Sequence, residues 1–356
     1  MEFIIQNALK NVKETNFNEI EVGQANIKVV GAGGAGNNVV TWLYKKGIKG
    51  AEIIAINTDK QHLDISEADR KILIGRELTR GLGAGGFMDK GRDAAKESMH
   101  ELKDALRDTD MVFICAGLGG GTGTGSAPIV AQLAKEIGAI VIGTVTMPFD
   151  IERARVDKAE YGLQQLRQVS DTVIVIDNNR LVKIAGNLPI KQAFAVANEL
   201  VSTMIKGIVE TIAIPSLVNL DYADVKAIMT NGGVSVIGVG ESDSGNRVEE
   251  ATKRALTNPL LDVNYEGATG ALIHVTGGDD LTLEEVSRMG EIVTRALDKD
   301  ANVIWGARIN ADMNGKVRIM TIITGVNSPY VLGKVDYNKP SLQAIKVSRE
   351  LGIDMY

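Results

Sequence analysis

Six glycines in nine positions, Gly117-Leu-Gly-Gly-Gly-Thr-Gly-Thr-Gly125, follow directly on the apolar run Met111-Val-Phe-Ile-Cys-Ala116. Fixing glycine costs more backbone entropy than fixing any other residue, so such density is sustained only where the chain turns sharply or presses its backbone against a ligand. The run reads as a loop at the tip of a buried strand. Ser126-Ala-Pro-Ile-Val-Ala-Gln-Leu-Ala-Lys135 then shows helical apolar spacing. Loop N–H groups and the positive end of that helix would converge on one anion, phosphate above all. A flexible linker would lack the buried strand and the apolar helix that bracket this run.

At 356 residues, with 44% hydrophobic and 24% charged residues, the chain can bury two ordinary cores. A net charge of −6, with no cluster of Lys and Arg, excludes general nucleic-acid binding. No run of about 18 apolar residues is present and the first residues carry both charges, so neither a membrane span nor a secretory signal is expected and the chain is placed in the cytoplasm. Cys115 is the single cysteine, lies within an apolar strand and reads as core. His62, His100 and His274 are far apart and lack partnering ligands, so no metal held directly by protein side chains is expected.

Residues 1–25 read as a helical extension, with one helix around Phe3 to Val12. From Asn26, apolar strands at Ile27–Val30, Ala51–Ile56, Met111–Ala116, Ala139–Val145 and Thr172–Ile176 alternate with helices from Asn37, from Gly91 to Arg107 and after Gly125. Near-continuous apolar strands alternating with helices predict a parallel sheet covered on both faces, an α/β, Rossmann-like domain over 26–189. From Ile190 to Ile212 apolar residues keep helical period without an internal proline, predicting a long central helix over 190–213. An α+β domain with a mixed sheet is expected over 214–327, then a tail over 328–356 with a helix from Ser341 to Leu351.

Gly31-Ala-Gly-Gly-Ala-Gly36 after the first strand satisfies G-x-G-x-x-G, and Asp59 follows the second strand where a ribose-binding acid would sit. On that motif alone the chain would be an NAD-dependent dehydrogenase, with His62 as the nearest catalytic candidate. A second glycine loop at a later strand end suits a triphosphate better. No G-x-x-x-x-G-K-[ST] occurs, so backbone amides rather than a loop lysine would hold it. Gly81-Leu-Gly-Ala-Gly-Gly86 is a third loop able to close over the terminal phosphate, and Glu152 and Arg155 could grip ribose. Asp221 and Asp224, with Asn219, can orient a water or cap a helix. A helix of about 22 residues carries the chain about 30 Å, which puts these acids far from their own subunit's glycine loops.

The run Gly119-Gly-Gly-Thr-Gly-Thr-Gly125, with Gly31 to Asn38, Asn57-Thr-Asp59, Gly81 to Gly86, Asn219 to Asp224 and Asn231-Gly-Gly233 in the same order, resembles the tubulin/FtsZ family, and residues 26–327 are similar to FtsZ in an archaeal form. The resemblance implies a GTPase that binds GTP and GDP with Mg²⁺ and polymerises head to tail into protofilaments of the cytokinetic ring at mid-cell. Gly33, Gly34, Asn37, Ala84, Gly85, Gly86, Gly121, Thr122, Gly123 and Thr124 would then surround the phosphates, Glu152 and Arg155 would meet ribose, and Asn178, Phe194 and Asn198 would recognise guanine. Asn219, Asp221 and Asp224 would complete the site of the adjoining subunit. A second paralogue and a membrane-tethering adaptor are the partners implied beyond self. A cell-shape filament and a slowly hydrolysing scaffold are the other roles the resemblance allows. Phe87-Met88 replaces the family's usual Asn-Pro, and Glu152-Arg-Ala-Arg155 is one residue shorter than its usual Glu-Gly-x-x-Arg.

Overall fold

The computed structural model describes residues 25–214, 216–231, 235–257, 265, 267–295, 297–326 and 331–332. The helices expected around Phe3 to Val12 and from Ser341 to Leu351 lie outside the described residues.

Strands β1 (Ile27–Ala32), β2 (Ala51–Asn57), β3 (Arg70–Leu73), β4 (Met111–Gly117), β5 (Ile140–Met147) and β6 (Thr172–Asp177) form one sheet in the order β6-β5-β4-β1-β2-β3. Every pairing among them is parallel. Their connections are the helices α1 (Gly33–Lys46), α2 (Lys60–Ile65), α3 (Arg76–Thr79), α4 (Met88–Glu97), α5 (Met99–Ala105), α6 (Thr122–Glu136) and α7 (Ala154–Val169), and α8 (Asn178–Ala185) follows β6. Alternate strand residues serve different layers. Val29, Ile53 and Phe113 pack with Val40 and Leu43 of α1 on one face. Val30, Ile54 and Ile114 pack with Ala94 and Ala127 of α4 and α6 on the other. Each fully buried Val, Ile, Leu or Phe is worth about 1.5–3 kcal/mol, so both faces must be covered and the apolar runs of the sequence follow.

The central helix α9 (Ile190–Ala213) spans 24 residues. Its Val201, Ile205 and Ile208 belong to the same core as Ile142 of the first sheet and Ile237, Leu272 and Ile322 of the second, so the helix is the shared wall of the two halves. After it come α10 (Tyr222–Asn231), β7 (Ser235–Ser242), α11 (Arg247–Leu256), β8 (Ala268–Gly277), α12 (Leu283–Thr294), β9 (Leu297–Ile309) and β10 (Val317–Thr324). The second sheet runs β7-β10-β8-β9; β10 is antiparallel to both neighbours and β8 is parallel to β9, the mixed sheet expected. The two-residue β11 (Val331–Leu332) returns to pair antiparallel with β6.

Three local expectations change. The single helix expected from Gly91 to Arg107 is two, α4 and α5, because Ser98 leaves the helical conformation at φ −92°, ψ 18°; its hydroxyl accepts the Gly75 N–H at 3.0 Å. The helix expected from Asn37 already starts at Gly33. The glycine run is not all loop, since Thr122–Gly125 form the first turn of α6. There glycine serves helix crossing: a Cβ on Gly125 would stand 2.1 Å from the Met88 carbonyl oxygen, and one on Gly91 2.3 Å from that of Gly121. Cys115 is fully buried, and burial pushes its thiol up to about 12. Among the described residues no helix is long and apolar enough to cross a membrane.

Candidate functional site

β1 and β4 are neighbours at the centre of the sheet, yet their connections leave toward opposite edges, β1 to β2 and β4 to β5. A crevice opens at the carboxyl ends of two such strands, which is where ligands bind in doubly wound folds. Here it is a cleft of about 1000 Å³. The helices that start at its floor, α1 after Ala32 and α6 after Gly121, carry no side-chain cap. Their first N–H groups are unsatisfied within the helix and carry the positive end of the dipole, so a phosphate can satisfy both helices at once.

The floor can form only without side chains. Gly33 adopts φ +70°, and a Cβ there would meet the Gly123 nitrogen at 2.8 Å. A Cβ on Gly36 would stand 2.1 Å from the Cys115 carbonyl oxygen, and one on Gly123 2.8 Å from that of Gly117. Asn37 is fully buried below this floor, not in the cleft. With its amide turned to satisfy both ends, it donates to the Gly31 and Gly33 carbonyls at 2.7 and 3.3 Å and accepts from Asn57 Nδ2 at 3.2 Å. Asn37 thus shapes the turn whose amides face the cleft.

Of the residues singled out by sequence, Gly34, Gly121, Thr122, Gly123, Glu152, Arg155, Asn178, Phe194 and Asn198 line the cleft together. Ala84 is buried under Gly121, whose Cβ would meet its methyl at 2.7 Å. Gly85 and Gly86 turn the exposed rim at φ +61° and +78°. The Gly86 carbonyl accepts from Lys158 Nζ at 3.1 Å, and the departure at Phe87 fits here, with that ammonium 5.9 Å from its ring centroid. Thr124 is buried toward Gly162 of α7 rather than the cleft.

The shortened Glu152 to Arg155 segment still forms a unit. The Glu152 carboxylate accepts from the Phe149 N–H at 2.9 Å and from the Arg155 guanidinium. Arg155 Nε also donates to the Gly119 carbonyl at 3.3 Å, joining this segment to the glycine loop. Phe194, 42% exposed, stands edge-on to Phe149 with centroids 6.2 Å apart. Its ring lines the cleft, where a planar base can stack on it, and Asn198 lies one helical turn further along. Lys45, Lys191 and Arg155 give the cleft positive charge.

Sequence reasoning passed over Phe149, Lys191 and Thr58. The Thr58 and Thr122 hydroxyls lie 2.6 Å apart and tie the β2 loop to α6. Thr58 was signalled by its place in Asn57-Thr-Asp59, and Phe149 by the loop that carries Glu152. Asp59, the ribose acid of the dehydrogenase reading, instead caps α2 by accepting the His62 N–H at 3.1 Å.

Asn219, Asp221 and Asp224 are not in the cleft. Tyr222, the first residue of α10, donates its hydroxyl to the Asp110 carbonyl at 2.8 Å. Asp110 precedes β4, so these acids stand at the opposite end of the sheet, about 23 Å away along that seven-residue strand. Asp221 N–H donates to Asp224 Oδ2 at 3.1 Å and Asp224 N–H to Asp221 Oδ1 at 2.9 Å. Each carboxylate uses one oxygen in this reciprocal cap. Asn219 and Asp221 are exposed.

Residues 26–186 match the model of the Tubulin/FtsZ family, GTPase domain, and residues 233–327 that of the FtsZ family, C-terminal domain. Cell division protein FtsZ 2 of Methanocaldococcus jannaschii is 56% identical over 350 residues, covering 98% of this chain and 92% of the relative. Cell division protein FtsZ 2 of Halobacterium salinarum is 51% identical over 358 residues, 99% of this chain and 90% of the relative. Among solved structures, an empty FtsZ dimer from M. jannaschii matches with a TM-score of 0.78 at 47% identity, over 95% of this chain and 99% of that one. CetZ2 of Haloferax volcanii, 21% identical at a TM-score of 0.73 over 91% of this chain and 98% of that one, shares the fold. The chain is accordingly a GTPase, the dehydrogenase reading falls, and it belongs to the tubulin/FtsZ family.

Proposed function

We propose that this chain is a cell-division GTPase of the cytokinetic ring that assembles head to tail, each subunit completing the hydrolytic site of the next. The observation that carries the reading is the separation of parts. A cleft of a size and chemistry that suit a nucleoside triphosphate lies at one end of the sheet, and a pair of carboxylates, Asp221 exposed and Asp224 half-buried, lies at the other. Stacking one subunit on another brings them together. Apolar side chains stand exposed at both ends, Leu82, Phe87 and Ile151 at the cleft rim and Leu217 beside the acids, as a repeating contact requires.

In this reading the α1 and α6 N-termini hold the phosphates, Phe194 stacks on guanine, Asn178 and Asn198 read its edge, and Glu152 with Arg155 meets ribose. Asp221 and Asp224 of the docked subunit polarise and position a water, which attacks the γ-phosphorus and releases GDP and inorganic phosphate; Asn219 helps orient it. Among the described residues no group of three His, Cys, Asp or Glu could hold a metal ion. Mg²⁺ would therefore be carried by the phosphates of the nucleotide, with the Thr58 and Thr122 hydroxyls beside them, and would neutralise charge as it develops. A cytoplasmic ring at mid-cell, a second paralogue and a membrane-tethering adaptor complete the proposal.

Turnover per subunit should climb steeply with protein concentration, and electron microscopy should show strings of subunits with GTP and none with GDP. A turnover constant over a hundredfold range of concentration would sink the shared site. Asp224→Ala should lose hydrolysis and keep GTP affinity; loss of affinity would place that acid in its own subunit's pocket.

A further inference from the structure

His274 of β8 is 3% exposed and holds both ring nitrogens at hydrogen-bond distance from hydroxyls, one on α9 and one on the segment that follows it. Thr211, in the last turns of α9, donates its hydroxyl proton to the Gly207 carbonyl at 2.8 Å. Its oxygen must then accept from His274 Nδ1–H, 3.3 Å away. Nε2 is left bare and accepts the hydroxyl of Ser216 at 3.2 Å, a shorter contact than that hydroxyl's alternative to the Ile214 carbonyl at 3.5 Å. Burial, with the Arg308 guanidinium nearby, lowers the imidazole to about 4 and keeps it neutral; the Thr211 proton committed to Gly207 then selects the Nδ1–H tautomer. Arg308 in turn donates to the Glu210 carbonyl at 3.4 Å.

Ser216 begins the segment that carries the acids. Its N–H donates to Asn219 Oδ1 at 3.4 Å, and two residues on, Val218 and Ala307 of β9 exchange backbone hydrogen bonds at 3.0 and 3.1 Å. The β9 pairing sets the height of the segment, while the imidazole joins its start to the end of the central helix.

We propose that His274 is a positioning residue for hydrolysis, holding the Ser216 to Asp224 segment where Asn219, Asp221 and Asp224 meet the nucleotide of the neighbouring subunit. The proposal rests on the trans-acting role given to those acids above. Asparagine at this site can reproduce the Nδ1 bond to Thr211 but falls short of Ser216, whereas glutamine reaches the Nε2 position.

The test compares His274→Asn, His274→Gln and Ser216→Ala in the full chain, measuring GTP affinity, filament mass by sedimentation and kcat at saturating protein. Losing one ordering hydrogen bond should lower kcat about fivefold in His274→Asn and in Ser216→Ala, at unchanged GTP affinity and filament mass. His274→Gln should recover most of that loss, and the double variant Ser216→Ala/His274→Asn should be no slower than either single one. Wild-type kcat in Ser216→Ala, or equal loss of kcat and filament mass in the Asn and Gln variants, would overturn the proposal. Asp224→Ala run alongside separates the two layers. If it retains turnover, the trans-acting role fails; if it alone is inactive, only the assignment of His274 fails.

Discussion

Neutral His274 inside the second sheet has a thermodynamic consequence apart from catalysis. The unfolded chain binds a proton at this ring near pH 6.5, whereas burial holds the folded ring at about 4. The folded state therefore binds fewer protons between these values, and stability rises with pH across that window. The contribution is complete above pH 6.5, is lost as pH falls toward 4, and amounts to about 3 kcal/mol. Chemical denaturation at pH 7.5 and pH 4.5 should show the wild type losing more stability than His274→Asn; identical losses would mean that the ring already takes up its proton in the folded state. Sequence alone placed His274 as one of three isolated histidines, because its partners are 58 and 63 residues away. Local motifs fared differently. Gly121, Thr122 and Gly123 reach the cleft because a glycine-dense strand-to-helix turn is a local device. Asn37 lies beneath the glycine turn and not in the cleft, since spacing fixes which turn a residue belongs to and not which side of that turn it supports.

Two kinds of glycine share one run at the level of elements. Gly119, at φ +87°, is needed for its own backbone, while Gly125 is needed because α4 crosses α6 at its Cα. The sequence shows both as loop glycines, since the crossing partner at Met88 is remote in the chain. The same remoteness hid β3 and the break at Ser98, whose hydroxyl serves Gly75 rather than its own helix. Gly125→Ala has favourable intrinsic helix propensity, so the two causes predict opposite signs. A methyl 2.1 Å from the Met88 oxygen and 2.5 Å from the Arg92 nitrogen meets backbone that cannot swing aside. We expect a loss of about 1–3 kcal/mol, read as a lower Tm, with weaker GTP binding because α4 carries the Gly81–Gly86 loop against Gly121. A raised Tm would show that the crossing has slack. For the central helix, period and length were legible, because six turns of apolar spacing override any single residue.

The whole molecule separates its two chemical halves by the length of its own sheet. Parallel strands put every loop that follows a strand at one end, so the glycine loops converge there, and the return of the chain through α9 delivers Asp221 and Asp224 to the other. Strand alternation makes the first statement legible in sequence. The order of strands and the Tyr222 to Asp110 bond are long-range facts and are not. Concentration dependence alone leaves one escape from a shared site, namely assembly that merely activates each subunit on its own nucleotide. A labelling experiment closes it. Asp224→Ala protein is loaded with radiolabelled GTP, freed of excess nucleotide, and mixed with wild-type protein in unlabelled GTP faster than nucleotide exchanges. If acids act across the interface, labelled phosphate appears in the first turnover, since wild-type carboxylates dock on the variant's nucleotide. The converse arrangement, labelled wild type among a large excess of Asp224→Ala, should release label slowly, because most wild-type clefts then face a neighbour without its acid. Activation in place predicts the reverse in both mixtures: no label from the variant, and full release from the wild type inside mixed filaments.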